Sequence, residues 1–277
     1  PLLQGGGRKG LPKSFLNRFT KIHIKELTKE DYLSIVKELY PQIDSVKIVE
    51  FNEQVKKKLQ GPWEFNLRDV LRWCEGASPE LLYYYRCREL SQKELVLSLY
   101  KQVFGCSLRV SQVPHFKFTP ECIKLGNLSI PNNSQTPQLE FLPSQLAILH
   151  QLLESLRLNW PTLLVGYTGK TSLCRLASEL MQKPLHEYTL NPATDSSELL
   201  GSFEQNSQGQ FEWFESTLVK AIKAGHWVLL KQANLCPAAV LDRINSLLEP
   251  NGSLLINERG LVDGESYVVT PHKDFRV

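Results

Sequence analysis

The chain has 277 residues, 42% hydrophobic and 22% charged, with a formal net charge of +3. Those values suit a soluble globular protein with room for about two domains and a sizeable core. The small net charge and the scattered Lys and Arg give no nucleic-acid signature, and no apolar run reaches the roughly 18 residues of a membrane helix. The first residue is Pro1 and the only methionine is Met181, so the expectation is a piece of a longer chain. Cys74, Cys87, Cys106, Cys122, Cys174 and Cys236 form no Cys-x-x-Cys pair. They read as reduced packing residues of an intracellular protein rather than a zinc site.

Residues 5–10, "GGGRKG", read as a flexible basic loop, and Phe19, Lys21, Ile22 and Ile24 as a strand-like alternation. Thr28 and Asp31 have capping-box spacing. They open a helix whose Tyr32, Ile35, Val36 and Leu39 share one face and which Pro41 stops. A second helix is expected over 44–59. Asn66 is a plausible N-cap for a third, with Leu67, Val70, Leu71 and Cys74 as its stripe and Arg68 and Arg72 one turn apart on another face. A fourth is expected to start at Ser91, with Glu94 three residues on, and to end at Gly105. Residues 106–140 read as a connector with one or two strands. A helix at about 144–159 turns Leu146, Leu149, Leu152, Leu153 and Leu156 inward.

From residue 161 the pattern becomes strand–helix alternation. "TLLVG" is expected as a buried strand, followed by a helix over "KTSLCRLASELMQ" and a strand at "LHEYTLN". A helix capped by Gly225 leads to the strand "HWVLLKQAN", buried from Trp227 to Leu230. A helix with Pro237 near its first position, a hairpin-like pair and a strand beginning at "DFRV" complete the run. This order predicts an α/β fold with a parallel sheet and helices on both faces.

One stretch carries chemistry. "LLVGYTGKTSL", residues 163–173, has strand, glycine, Gly-Lys-Thr and amphipathic helix in the order of a phosphate-binding loop. In such a loop backbone N–H groups and the helix N-terminus face the phosphates, while Lys and Thr serve phosphate and Mg²⁺. Gly166, Gly169, Lys170, Thr171 and Ser172 are the candidate nucleotide ligands, with Thr171 the candidate for Mg²⁺. Only two residues separate Gly166 from Gly169, where four are usual. Either the site has degenerated or residues of the natural chain are absent; the alternative is an ordinary strand–helix turn with a surface lysine. The third strand should end in acids that hold Mg²⁺ and polarise water, but Lys231 and Gln232 stand there, which makes hydrolysis doubtful even with nucleotide bound.

Several stretches together resemble the AAA+ superfamily in its dynein-related and MoxR-like branch. They are "GGGRKGLPKSFLNRFT", "GPWEFNLRDVLRWCE", "SSELLGSFEQ", "FEWFESTLVKAIKAGHWVLL" and "NLCPAAVLDRINSLLEPNGSLLINERG". The last is the most specific, and the loop alone would be weak. The resemblance implies that 1–24 end one large subdomain, 25–110 form its α-helical lid, 111–139 connect, and 140–277 form the next AAA+ P-loop NTPase large subdomain. Finger-like and lid-like motifs precede the phosphate loop, so the chain reads as the junction of two successive modules.

By resemblance, Arg18 is the arginine-finger candidate, acting on another module's nucleotide, and Arg68 the sensor 2 candidate. Either could instead anchor a loop or lie on a solvated face. The implied cofactors are ATP or ADP with Mg²⁺, and the implied partners are other AAA+ modules of the same chain. Within the branch the likeness is to the giant tandem-module ATPases of ribosome assembly. That implies nuclear work, in nucleolus and nucleoplasm, on the pre-60S ribosomal particle and removal of its assembly factors by force. An active motor segment, a non-hydrolysing structural module and a stand-alone scaffold are the competing functions. Lys231 and Gln232 favour the second over the first, and motif order disfavours the third. A dynein heavy chain should show stalk heptads, and MoxR-type chaperones carry one module per chain.

Overall fold

Thr28 opens the first helix as its spacing predicts. In the computed structural model its hydroxyl accepts from the Asp31 N–H, and the Asp31 carboxylate accepts from the Thr28 N–H at 2.7 Å. This is the reciprocal capping box. The structure describes residues 18, 20, 26–59, 65–110, 116–119, 121–126, 128–131, 142–166, 168–249, 251–262 and 264–277. The loop at 5–10 and the alternation over 19–24 lie outside them. The chain divides into two compact units, Pro1–Ser111 and Gln112–Val277.

The first unit is helical: α1 (Lys29–Leu39), α2 (Ser45–Lys58), α3 (Leu67–Cys74), a π turn at Glu80–Tyr84 that sequence reading missed, and α4 (Leu90–Phe104). Asn66 caps α3 as expected, again in a reciprocal box, with Asp69. Helix α4 starts earlier than expected. The Glu89 carbonyl already accepts from the Lys93 N–H at 3.1 Å, so Ser91 and Glu94 lie inside the helix instead of capping it. Leu39 was expected inward but is 56% exposed; Leu33 packs against the core instead. Phe51 is fully buried, with its ring edge-on to Trp73, Tyr83 and Tyr100 at 5.6, 5.0 and 5.7 Å, an arrangement the ring quadrupoles favour.

The second unit begins with three antiparallel strands, β1 (Phe116–Phe118), β2 (Cys122–Leu125) and β3 (Leu128–Pro131). The register pairs Ile123 with Ile130 and Leu125 with Leu128. All four are buried with the inward leucines of α5 (Leu146–Arg157) and α6 (Lys170–Met181). The connector segment therefore contributes a face of this core.

The parallel pair is β4 (Leu185–Thr189) and β7 (Trp227–Lys231). Successive side chains alternate between its faces. Leu185 and Trp227 join the α5–α6 core. Tyr188, Val228 and Leu230 join a second core with α7 (Ser196–Leu200), α8 (Thr217–Ala224) and α9 (Ala238–Asp242). Helices thus cover both faces, as predicted. Arg276 bridges in parallel to Trp227, and the Thr162 N–H donates to the Val277 carbonyl at 3.3 Å. The extended segments therefore follow the order 185–189, 227–231, 276–277, 162.

One expectation fails here. "TLLVG" forms no strand: the Thr162 bond is its one backbone link among the described residues, and Leu163 and Val165 are 80% and 66% exposed. A strand exists only where a neighbouring ladder pairs with it. The stretch after α7 is a hairpin of β5 (Gly201–Gln205) and β6 (Phe211–Glu215). A Cβ on Gly201 would lie 2.3 Å from the Phe214 carbonyl oxygen, so only glycine fits.

The "LDRINSLLEPNG" stretch is held by contacts specific to its residues. Helix α9 ends at Asp242, and a 3₁₀ turn at Asn245–Leu248 follows it. Arg243 Nε donates to Glu258 Oε1 at 3.2 Å and its Nη2 to Oε2 at 2.7 Å, the fork geometry only arginine offers. Short strands β8 (Leu254–Leu255), β9 (Leu261–Val262), β10 (Glu265–Ser266) and β11 (Val268–Val269) pair antiparallel, β8 with β11 and β9 with β10.

Candidate functional site

The C-terminal ends of parallel strands, facing a helix N-terminus, are the usual ligand position in an open α/β sheet. In this chain that end carries Thr189 and Lys231, which are register partners. The same unit carries the start of α6. Gly169 precedes that helix with φ 88°, in the left-handed region. No side chain caps the helix, so its first-turn N–H groups, those of Lys170, Thr171 and Ser172, have no intrahelical acceptor. Thr171 is half-buried and Ser172 exposed. The Lys170 ammonium folds back to donate to the Gly166 carbonyl. Tyr167 lies outside the described residues.

Sequence reasoning missed the ionic centre of this region. Glu187 on β4 accepts two hydrogen bonds from Arg175, at 2.5 and 2.9 Å, and a third from the Lys231 ammonium at 3.1 Å. Arg175 sits one turn beyond Thr171 on α6. Glu187 and Lys231 share the sheet face that packs toward α6, because Leu185 and Trp227 on that face join its core. The Arg175 hydrogen bonds, and then that of Lys231, hold the Glu187 carboxyl down at about 2 against the cost of burial. A glutamate in the middle of the strand LHEYT was the available signal.

These residues fit a phosphate group in part. An uncapped helix start and Lys170 supply donors and positive charge. They do not fit Mg²⁺. Oxygen ligands, chiefly carboxylates, hold that ion, whereas β7 ends in the Lys231 ammonium, a cation that donates to Glu187. Gln232 follows with φ 58°, where the chain turns out of the strand. Gln232 has no group that could act as a general base.

Other candidates stand elsewhere. Arg18 is exposed, in a turn of the first unit. Arg68 is exposed at the second position of α3. Neighbouring Arg72 is half-buried, and desolvation lowers its pKa. Asp69, between them, is almost wholly buried and pairs with Arg86 at 2.8 Å. All six cysteines are unpaired thiols. Burial pushes Cys174 on α6 up to about 11, so it remains neutral at physiological pH. No helix among the described residues is long and apolar enough to cross a membrane.

Residues 161–277 match the AAA domain of the dynein-related subfamily, and residues 31–81 match the midasin AAA lid domain. The whole chain aligns with midasin from Dictyostelium discoideum at 28% identity and with midasin from Giardia intestinalis at 22%. It spans 8% and 10% of the length of those relatives. The alignments run over 462 and 463 positions. A chain of 277 residues therefore lacks a counterpart for a large part of the relatives' sequence in this stretch. An uncharacterised protein from Staphylococcus aureus is 32% identical over 98 residues, a third of this chain.

Proposed function

Because this chain belongs to the AAA+ ATPases, in their dynein-related and midasin-like branch, we propose that it joins the lid of one module to the large subdomain of the next in a tandem-module ring. One observation carries the proposal: a midasin-type lid at 31–81 precedes a dynein-related AAA domain at 161–277 in a single chain. A single-module protein has the reverse order. The full-length protein uses ATP to remove assembly factors from pre-60S particles in the nucleolus and nucleoplasm. Other modules of the same chain are its immediate partners, and the particle is its substrate. The midasin relatives support that assignment.

Within this frame the segment's own site holds nucleotide without hydrolysing it. Lys170 and the first turn of α6 bind phosphate. Lys231 and Gln232 provide neither a carboxylate for metal nor a base for water. Arg18 and Arg68 serve as the finger and sensor 2 of the preceding module, each toward a nucleotide bound outside this segment. The site therefore transmits motion between working modules.

The test uses the full-length protein. Lys170→Ala should remove nucleotide from this site and leave steady-state ATP hydrolysis within about twofold of the parent. The Arg18→Ala variant should lower hydrolysis by roughly a hundredfold or more at the site it serves. Loss of most hydrolysis in Lys170→Ala would contradict a non-hydrolysing site. Failure of the protein to co-sediment with pre-60S particles would contradict the ribosomal assignment.

A further inference from the structure

Lys231 ends the strand where a metal-holding acid is expected, and its partners show what it does there. Its ammonium donates to Glu187 at 3.1 Å, and Glu187 is also clamped by Arg175 at 2.5 and 2.9 Å. The carboxylate thus receives three charge-assisted hydrogen bonds from two cations, which satisfies most of its acceptor capacity. It has little left to offer a divalent ion. The trio carries one net positive charge, and Lys170 adds another in the same unit. Arg175 stands one turn from Thr171 on α6, about 6 Å along the axis. The sheet face carrying Glu187 and Lys231 packs toward that helix.

We infer that Lys231 is a built-in counter-cation, so that this site takes the phosphate chain of a nucleotide without a divalent metal. The inference rests on the reading of Gly166, Gly169, Lys170, Thr171 and Ser172 as a nucleotide site and goes further, to the ionic form of the ligand. The Glu187 carboxylate fixes the ammonium at the sheet end. Arg175 balances the charge of Glu187, so the positive charge of Lys231 remains for the ligand. A divalent ion at the same place would meet the like charge of Lys231 and find no unclaimed carboxylate.

The experiment is photolabelling of the full-length protein with 8-azido-ATP, mapped by mass spectrometry to the peptide covering 161–183. It is run with Mg²⁺ and with excess EDTA. Labelling of this peptide should change by no more than about twofold between the two conditions. In the near-isosteric Lys231→Gln variant, labelling in EDTA should fall by about tenfold. Limited proteolysis of the second unit confirms that the variant remains folded. A second variant, Lys231→Met, guards against a fault peculiar to glutamine. Label that depends on Mg²⁺ in the parent overturns the inference and leaves the nucleotide reading standing. Undiminished label in both folded variants also overturns it. No label in either condition overturns both readings.

Discussion

Replacing Asp69 with alanine removes two supports of the first unit at once. One carboxylate oxygen accepts from the Asn66 N–H at 3.1 Å and closes the capping box of α3. The other pairs with Arg86 at 2.8 Å, with the Asp69 side chain 4% exposed and that of Arg86 34%. Loss of the cap costs about 1 kcal/mol. Removing one partner of a fully buried pair costs roughly 3–5 kcal/mol, and the partial exposure of Arg86 lowers that share to about 2 kcal/mol. The sum, about 3 kcal/mol, corresponds to a local opening equilibrium raised more than a hundredfold. Hydrogen exchange of the full-length protein, followed by mass spectrometry over 66–74 and 82–87, reads it directly. Asp69→Asn keeps the volume and one acceptor oxygen, so it should lose about half as much. If both variants stay within about threefold of the parent in α3, the carboxylate does not hold this helix and the reasoning fails.

Glu187 sets an acid limit on the second unit. Its folded value lies below the ordinary carboxylate range, so its stabilisation is present above that range and is lost as pH falls toward about 2. Arg175 is 54% exposed, so solvent screens its share of that stabilisation. Glu187→Gln should loosen the unit at pH 7 and not at pH 2 in pulse proteolysis. Gly252→Ala should cost about 2–3 kcal/mol, because its Cβ would fall 1.6 Å from the Ser246 backbone oxygen; exchange rates over 245–255 measure the loss. Phe51→Ala should cost about 3–5 kcal/mol through the cavity left among Trp73, Tyr83 and Tyr100, read as faster exchange in α2 and α4.

The sequence by itself determined whatever local chemistry fixes. Thr28 with Asp31, and Asn66 with Asp69, close their boxes within four residues. The leucines of α5 repeat at helical spacing, and Gly169-Lys170-Thr171 opens α6, so each of these could be read before any packing was known. The order of lid-like and loop-like motifs was equally visible in a linear reading. What tertiary structure alone decided depends on residues far apart in the chain. Arg175, Glu187 and Lys231 come from one helix and two strands, and only the parallel register of β4 and β7 brings them together. "TLLVG" has the composition of a strand but lacks a paired ladder, whereas the polar stretch after α7 has a partner strand and pairs. Helices satisfy their hydrogen bonds from within, so sequence can announce them. Strands and ion clusters need a neighbour, and the neighbour is chosen by the fold.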